Sequence, residues 1–136
     1  MNECVFCKIA KGEIPADKIY EDDNFFAFLD INPVNPGHVL VVPKNHYENI
    51  YSAPDEILCD IGSLVKKISI AVKQGVNADG INIIMNNESA AGQIVSHAHF
   101  HIIPRFADDG LRHWIGKPYA NKEETSKIAE KIKDSF

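Results

Sequence analysis

The sequence predicts an α+β fold in which an antiparallel sheet is covered by one long helix. Three observations carry this expectation. Short apolar runs bounded by turn-forming residues, at Lys18–Glu21, Asn24–Leu29, His38–Pro43 and Gly80–Asn86, read as strands in neighbouring order. Apolar residues from Ile57 to Val76 return with the 3.6-residue period of a helix face. Between Gly92 and Arg105 the chain reads Gly-Gln-Ile-Val-Ser-His-Ala-His-Phe-His-Ile-Ile-Pro-Arg, which sets His97, His99 and His101 at alternate positions. Alternate residues of a strand share one face, so this segment is a fifth strand with an imidazole face. Strands joined by short turns, with one long helix among them, make an α+β domain.

The elements follow in order. Cys4-Val5-Phe6-Cys7 leads into one or two turns of helix that end at Gly12, a suitable C′ residue. Ile14-Pro15 is a loop, and Asp22-Asp23 turns the first strand into the second. Asn32-Pro33-Val34-Asn35-Pro36-Gly37 is a turn-rich connection. His38–Pro43 is apolar almost throughout, as a central strand is. Ser52 is the candidate N-cap of the long helix, with Pro54 in its first turn. Ile57, Leu58, Ile61, Leu64, Val65, Ile68, Val72 and Val76 form its stripe, and Asn77-Ala78-Asp79-Gly80 ends it. The lone helical Cys59 is expected to pack. The loop to Val95 precedes the histidine strand, which runs to Ile103 and is closed by Pro104; Lys122–Lys133 is a terminal helix. No repeat, low-complexity tract or linker divides the chain, so residues 1–136 are expected to form one domain.

A chain of 136 residues is long enough for a real core. Its formal net charge of −5 argues against a non-specific nucleic-acid binder. An anionic ligand would need a local positive site, for which the histidines, Lys44 and Arg105 are candidates. No apolar run approaches the roughly 20 residues of a membrane span, and the start shows no secretory pattern. Three cysteines, an odd number, fit a reduced cytoplasm better than a disulfide framework.

Solvated strand histidines would be an unusual choice at three alternate positions, where Thr, Lys or Glu is commoner. Two chemical readings remain open: a three-histidine zinc site, and a nucleophilic imidazole flanked by helpers. The small, flexible Ala90-Ala91-Gly92-Gln93 just upstream allows backbone N–H groups to approach a phosphate closely.

His97-Ala98-His99-Phe100-His101-Ile102-Ile103 resembles the His-φ-His-φ-His-φ-φ signature of the histidine-triad (HIT) nucleotide-binding family. The similarity runs from Cys4 to about Trp114 and takes in Phe28-Leu29-Asp30-Ile31 and Gly37-His38-Val39-Leu40-Val41-Val42-Pro43-Lys44. It implies a single HIT domain over residues 1–136: a five-stranded antiparallel sheet with one long central helix and a C-terminal helix. It also implies a homodimer. The chain resembles some zinc-binding bacterial members and is similar to the purine nucleoside phosphoramidase branch.

The resemblance implies a hydrolase of nucleoside monophosphate conjugates, such as AMP or GMP phosphoramidates, acting at the α-phosphorus. Dinucleoside polyphosphate hydrolysis, or nucleotide-binding regulation with incidental catalysis, are the alternatives. By position His99 is the nucleophile that forms a nucleotidyl-histidine, His101 assists the leaving group, and His38 positions and relays a proton; His97 completes the triad. Splitting one displacement into two in this way is covalent catalysis, and a leaving amine needs an acid nearby. Backbone N–H groups of Gly92, Gln93 and Ile94 are candidates for charge stabilisation. Asp30 matches the acceptor of ribose hydroxyls, although an Asp before Asn32-Pro33 also suits a turn. Phe6, Ile14, Phe28 and Ile31 match the wall of the base pocket, and core packing accounts for each equally. Asn86 and Gln93 match polar contacts near ribose and phosphate. Ile94 stands where many members carry a serine, and Ser96 where an aromatic is common. His101 separates the chain from the related uridylyltransferases, which carry glutamine there.

Cys4 and Cys7 make a Cys-x-x-Cys pair without the preceding strand that a redox motif has. Zinc needs two more ligands, and Cys2His2 is a common tetrahedral set. The resemblance implies that they are His46 and His97, holding a structural Zn2+ that ties the N-terminal segment to the triad.

Overall fold

The computed structural model describes residues 3–136. A short helix, α1 (Val5–Ala10), precedes strands β1 (Lys18–Glu21), β2 (Phe25–Leu29) and β3 (Val39–Pro43). The long helix α2 (Asp55–Gly75) leads to β4 (Gly80–Ile84), a single 3-10 turn (Ser89–Ala91) and β5 (Phe100–Arg105), and α3 (Lys122–Lys133) follows. The five strands form one sheet in the order β1-β2-β3-β5-β4, antiparallel at every pairing. The expected α+β architecture, with its long helix and C-terminal helix, is therefore present.

Alternation along the central strands builds two cores. Phe25 and Ala27 of β2, Val39 and Val41 of β3 and Ile102 of β5 pack on Ile61, Leu64, Val65, Ile68 and Val72 of α2. Each of the larger apolar side chains here contributes roughly 1.5–3 kcal/mol when fully buried. The other face carries Phe26, Phe28, Leu40 and Val42, which pack on Phe6 and Ile9 of α1. β3 is buried at all five positions, which is why it reads as continuously apolar. His101 pairs with Leu40 and so lies on the α1 side.

Several local expectations are corrected. The fifth strand begins at Phe100, so His97 and His99 precede it. Ala98 N–H donates to Tyr47 O at 2.6 Å and His97 N–H to Val95 O at 2.8 Å, bends that withhold these residues from the ladder. Pro104 lies inside β5, opposite Ile81. β3 pairs only as far as Ile102, so no strand partner is waiting for the N–H that Pro104 lacks, and its carbonyl accepts Asn35 Nδ2–H at 2.9 Å. Pro54, not Ser52, caps α2; the Ser52 hydroxyl donates to Asn49 O within a turn. Cys59 is exposed rather than packed, and Ile57 and Val76 are half-buried at the edge of the core. β4 stops at Ile84, two residues short of Asn86.

Candidate active site and metal centre

The site forms where three elements meet. The bend before β5 supplies His97 and His99, β5 itself supplies His101, and the residue before β3 supplies His38. His38, His97 and His99 are the buried polar residues, at 3%, 0% and 6% exposure. Imidazoles so buried must be neutral and hydrogen-bonded. Burial lowers the pKa of all three and of His101, with His97 and His101 brought down to about 4. Neighbouring imidazoles push both of those further in the same direction.

A neutral imidazole has one N–H and one lone pair, and a backbone partner decides which nitrogen carries which. A carbonyl only accepts, so His97 Nε2 carries its proton to Pro43 O at 2.8 Å and presents its Nδ1 lone pair. His99 is held the other way: its Nδ1–H donates to His97 O at 2.7 Å, leaving the lone pair on Nε2. A backbone N–H only donates, so Val34 N–H bonding His38 Nδ1 at 3.1 Å places the His38 proton on Nε2. That proton points at His101 Nδ1, 2.9 Å away, so His101 carries its own proton on Nε2. The result is a lone pair on His99 beside an N–H on His101, with ring centroids 4.9 Å apart.

The His97 Nδ1 lone pair faces a second constellation. Cys4 Sγ, Cys7 Sγ, His46 Nδ1 and His97 Nδ1 all lie within 4.8 Å of one another. The Sγ-to-Nδ1 separations are 3.4, 3.3 and 3.6 Å, and the two imidazole nitrogens are 3.2 Å apart. A tetrahedral zinc with Zn–S of about 2.3 Å and Zn–N of about 2.0–2.1 Å has N–N and N–S edges of roughly 3.3–3.6 Å and an S–S edge of roughly 3.8 Å. The donor set fits zinc, and these four separations match the edges of its tetrahedron. Burial raises the Cys7 thiol pKa, with its hydrogen bond to Cys4 adding to the shift; a metal would reverse that balance by holding thiolate.

Among the described residues, no metal-ligating cluster joins the three triad histidines. Asp30, His38 and His101 do cluster, but His38 Nε2 there carries the proton that bonds His101. Asp30 divides its carboxylate: Oδ1 accepts Asn32 N–H at 2.9 Å, the turn role, and Oδ2 lies 3.7 Å from His38 Nε2.

The expected pocket wall separates into two parts. Phe6 and Phe28 are buried with their ring centroids 5.7 Å apart, Ile14 packs against them, and the Phe6 ring meets His99 edge-on at 5.0 Å. Ile31 and Ile94, in contrast, are 96% and 93% exposed. The loop before the triad is tightly tied. Gln93 Nε2 donates to Glu48 O and Val95 O while its Oε1 accepts Glu88 N–H, so this side chain braces the loop. Gly92 N–H goes to Ser89 O and Gln93 N–H to Glu88 O. Of the three expected anion donors, Ile94 N–H is the one without such a bond among the described residues. Gly92 holds φ +91°, a left-handed backbone that favours glycine, and Asn86 Nδ2 donates to its carbonyl. The two expected surface cations are committed elsewhere: Lys44 to Glu21 at 3.1 Å and Arg105 to Asp109 at 2.8 Å.

A family model described as the HIT domain matches residues 11–108. The chain belongs to the HIT domain family. An adenosine 5'-monophosphoramidase of Schizosaccharomyces pombe is 45% identical over 131 residues, 95% of each chain. A Streptococcus mutans crystal structure superposes with a TM-score of 0.94 at 41% identity, covering 99% of this chain and 86% of that one. A zinc-bound histidine-triad protein of Mycobacterium smegmatis has a TM-score of 0.78 at 38% identity, covering 98% and 97%. Curated relatives in the HIT family are thus named as enzymes, and a fold neighbour is named as zinc-bound.

Three partners that sequence reasoning missed set the HIT site's proton pattern: Val34 N–H, Pro43 O and His97 O. Each is a backbone atom, and backbone atoms leave no mark in residue type.

Proposed function

We propose that this protein hydrolyses nucleoside monophosphate conjugates, phosphoramidates foremost, at the α-phosphorus through a nucleotidyl-His99 intermediate. The observation that supports this most directly is the paired ring polarity: a lone pair on His99 Nε2 next to a proton on His101 Nε2. His99 Nε2 forms a bond to phosphorus as the phosphorus–nitrogen bond of the substrate breaks. His101 Nε2–H donates a hydrogen bond to the leaving nitrogen as charge builds on it, and a solvent water gives that nitrogen the proton with which it departs as the amine. The His38 N–H bonded to His101 Nδ1 strengthens that donor. The oxygen left by that water attacks phosphorus as the bond to His99 breaks, so His101 keeps its Nε2 proton throughout. Ile94 N–H is the backbone donor assigned to the phosphate oxygens.

The Asp30 Oδ2 atom accepts from the ribose hydroxyls in this reading, while Phe6, Ile14 and Phe28 back the base and the exposed Ile31 closes over it. Asn86 lies at the ribose-phosphate end. Cys4, Cys7, His46 and His97 hold a structural zinc, which supplies a cross-link between α1 and the histidine segment. A reducing cytoplasmic setting keeps the two thiols available to it. The chain acts as a homodimer, for which the half-exposed Ile83 on edge strand β4 and the exposed Trp114 and Ile115 provide apolar surface. No described helix is long and apolar enough to cross a membrane.

The test is turnover. Purified protein given an adenosine phosphoramidate should release AMP and free amine in equal amounts. Tight AMP binding with no amine release would favour a nucleotide-binding regulator instead.

A further inference from the structure

Outside the four imidazoles, one half-buried polar network has no part in the reaction as described. At the end of β5 the Arg105 guanidinium grips Asp109, Nε to Oδ2 at 2.8 Å and Nη2 to Oδ1 at 3.1 Å, while Nη1 reaches Asn82 Oδ1 at 2.7 Å. The Asp109 side chain is only 7% exposed and also accepts the N–H groups of Phe106 and Leu111. Arg105 first, and then these backbone donors, hold its carboxyl far below the usual carboxylate range. An ion pair so fully satisfied is a rigid anchor.

What it anchors is the loop before His38. Asn35 Nδ2 donates to Asp109 Oδ2 at 3.1 Å and to Pro104 O at 2.9 Å. Both amide hydrogens are therefore fixed to the β5 end, 69 and 74 residues away in sequence. The Asn35 carbonyl accepts His38 N–H at 3.0 Å, and the preceding residue, Val34, supplies the N–H that bonds His38 Nδ1. Gly37 completes the turn at φ +98°, where an added Cβ would lie 2.8 Å from Val76 Cγ1. The loop that chooses the His38 tautomer is thus tied to the β5 end by the Asn35 side chain.

We propose that Asn35, clamped by Asp109 and the Pro104 carbonyl, is a positioning residue that keeps Val34 N–H on His38 and so aims the His101 proton at the leaving group. Its catalytic consequence rests on the phosphoramidase reading above; its structural consequence does not. Without the clamp, Val34 N–H drifts from His38 Nδ1. His38 then loses its preference for Nε2–H, and the donor to His101 is no longer assured. Asn35 touches no reacting atom, so the nucleophile and the nucleotide contacts remain intact.

The test has two arms. Nitrogen-15 imidazole spectra near pH 7 report the tautomer of each histidine without substrate. Wild type should show His38 and His101 as Nε2–H forms. Asn35→Ala should give His38 a mixed tautomer pattern, with Asn35→Ser, which retains one donor, in between. In the second arm, adenosine phosphoramidates of increasingly basic amines are compared. Asn35→Ala should lose roughly tenfold in kcat on the most basic amine, a part of what a positioned acid supplies. On a weakly basic aryl amine it should lose less than about threefold, with KM unchanged. An unaltered His38 tautomer in both variants would overturn the proposal, and so would an equal loss across all amines. Failure of wild type to turn over any phosphoramidate would refute the functional reading and leave the tautomer arm to decide this one.

Discussion

His97 and His99 are two residues apart, both buried and both neutral, yet they present opposite nitrogens. Pro43 O takes the Nε2 proton of His97 and turns its Nδ1 lone pair toward Cys4, Cys7 and His46. His97 O takes the Nδ1 proton of His99 and turns its Nε2 lone pair the other way. One backbone carbonyl each separates a ligand from a nucleophile. Residue type alone does not give a histidine its role; the backbone group opposite the ring does. The two sites therefore share a strand entry without sharing a function, and substitutions on either side should differ in kind as well as in size.

The largest expected effect is on the His99 side. His99→Asn should abolish turnover by several orders of magnitude while nucleotide binding stays within a few-fold, because the covalent route closes. His101→Asn should cost less, on the order of 10²–10⁴, and less still as the leaving group improves. Single-turnover rates and equilibrium binding of AMP separate these effects.

On the His97 side the loss should be of stability. The protein should carry about one zinc per chain, and replacing Cys4 and Cys7 with Ala should remove it. We expect a loss on the order of 3 kcal/mol, or ~10 °C in Tm for a domain of this size, with a smaller effect on kcat. Metal analysis with thermal unfolding checks this. Zinc-free protein with both thiols freely titratable would erase the difference between the two sites.

Asp30 joins the sides of the comparison, since one oxygen serves a turn and the other faces His38. Asp30→Ala should weaken nucleotide binding by roughly 1.5–3 kcal/mol. A 2′,3′-dideoxy analogue should bind wild type poorly and be discriminated little by the variant; equal discrimination by both would return Asp30 to its turn alone.

The smallest effect is on pH. His101 in the folded chain titrates at about 4, against an ordinary value of about 6.5 in the unfolded one. The unfolded state therefore binds the extra proton first. This contribution to stability is whole above pH ~6.5 and is lost as pH falls toward 4. Activity should follow, with the acid limb of kcat/KM below 6.5, because burial lowers the pKa of His99 and its protonation removes the attacking lone pair. A limb at 6.5 would mean that His99 is solvated.

Much of the fold was legible because period and burial agree. The stripe from Ile61 to Val72 and the apolar run Val39–Pro43 report their own packing. The imidazole cluster was legible through residue type and family resemblance, as were Cys4, Cys7 and His46, although of the triad only His101 lies on the strand. The bend at His97, the commitment of Gln93 to its own loop and the pairing of Lys44 and Arg105 were not. Three of these depend on a partner distant in sequence, Ala98 on Tyr47, Gln93 on Glu48 and Lys44 on Glu21, while Arg105 is taken by Asp109 four residues on, in the turn after its strand. Pro104 reads as a strand end until the neighbouring strand is seen to stop first. Cys59 lies on the exposed side of α2, which no single residue reveals.

The central claim is that ring polarity makes His99 the nucleophile and His97 a ligand. Wild-type protein quenched during turnover of an adenosine phosphoramidate, then digested and examined by mass spectrometry and phosphorus NMR, tests it directly. The account predicts an acid-labile nucleotide bonded through Nε2 of His99 and none on His97. A nucleotide on His97 or His101, or none on any histidine while turnover proceeds, would contradict it.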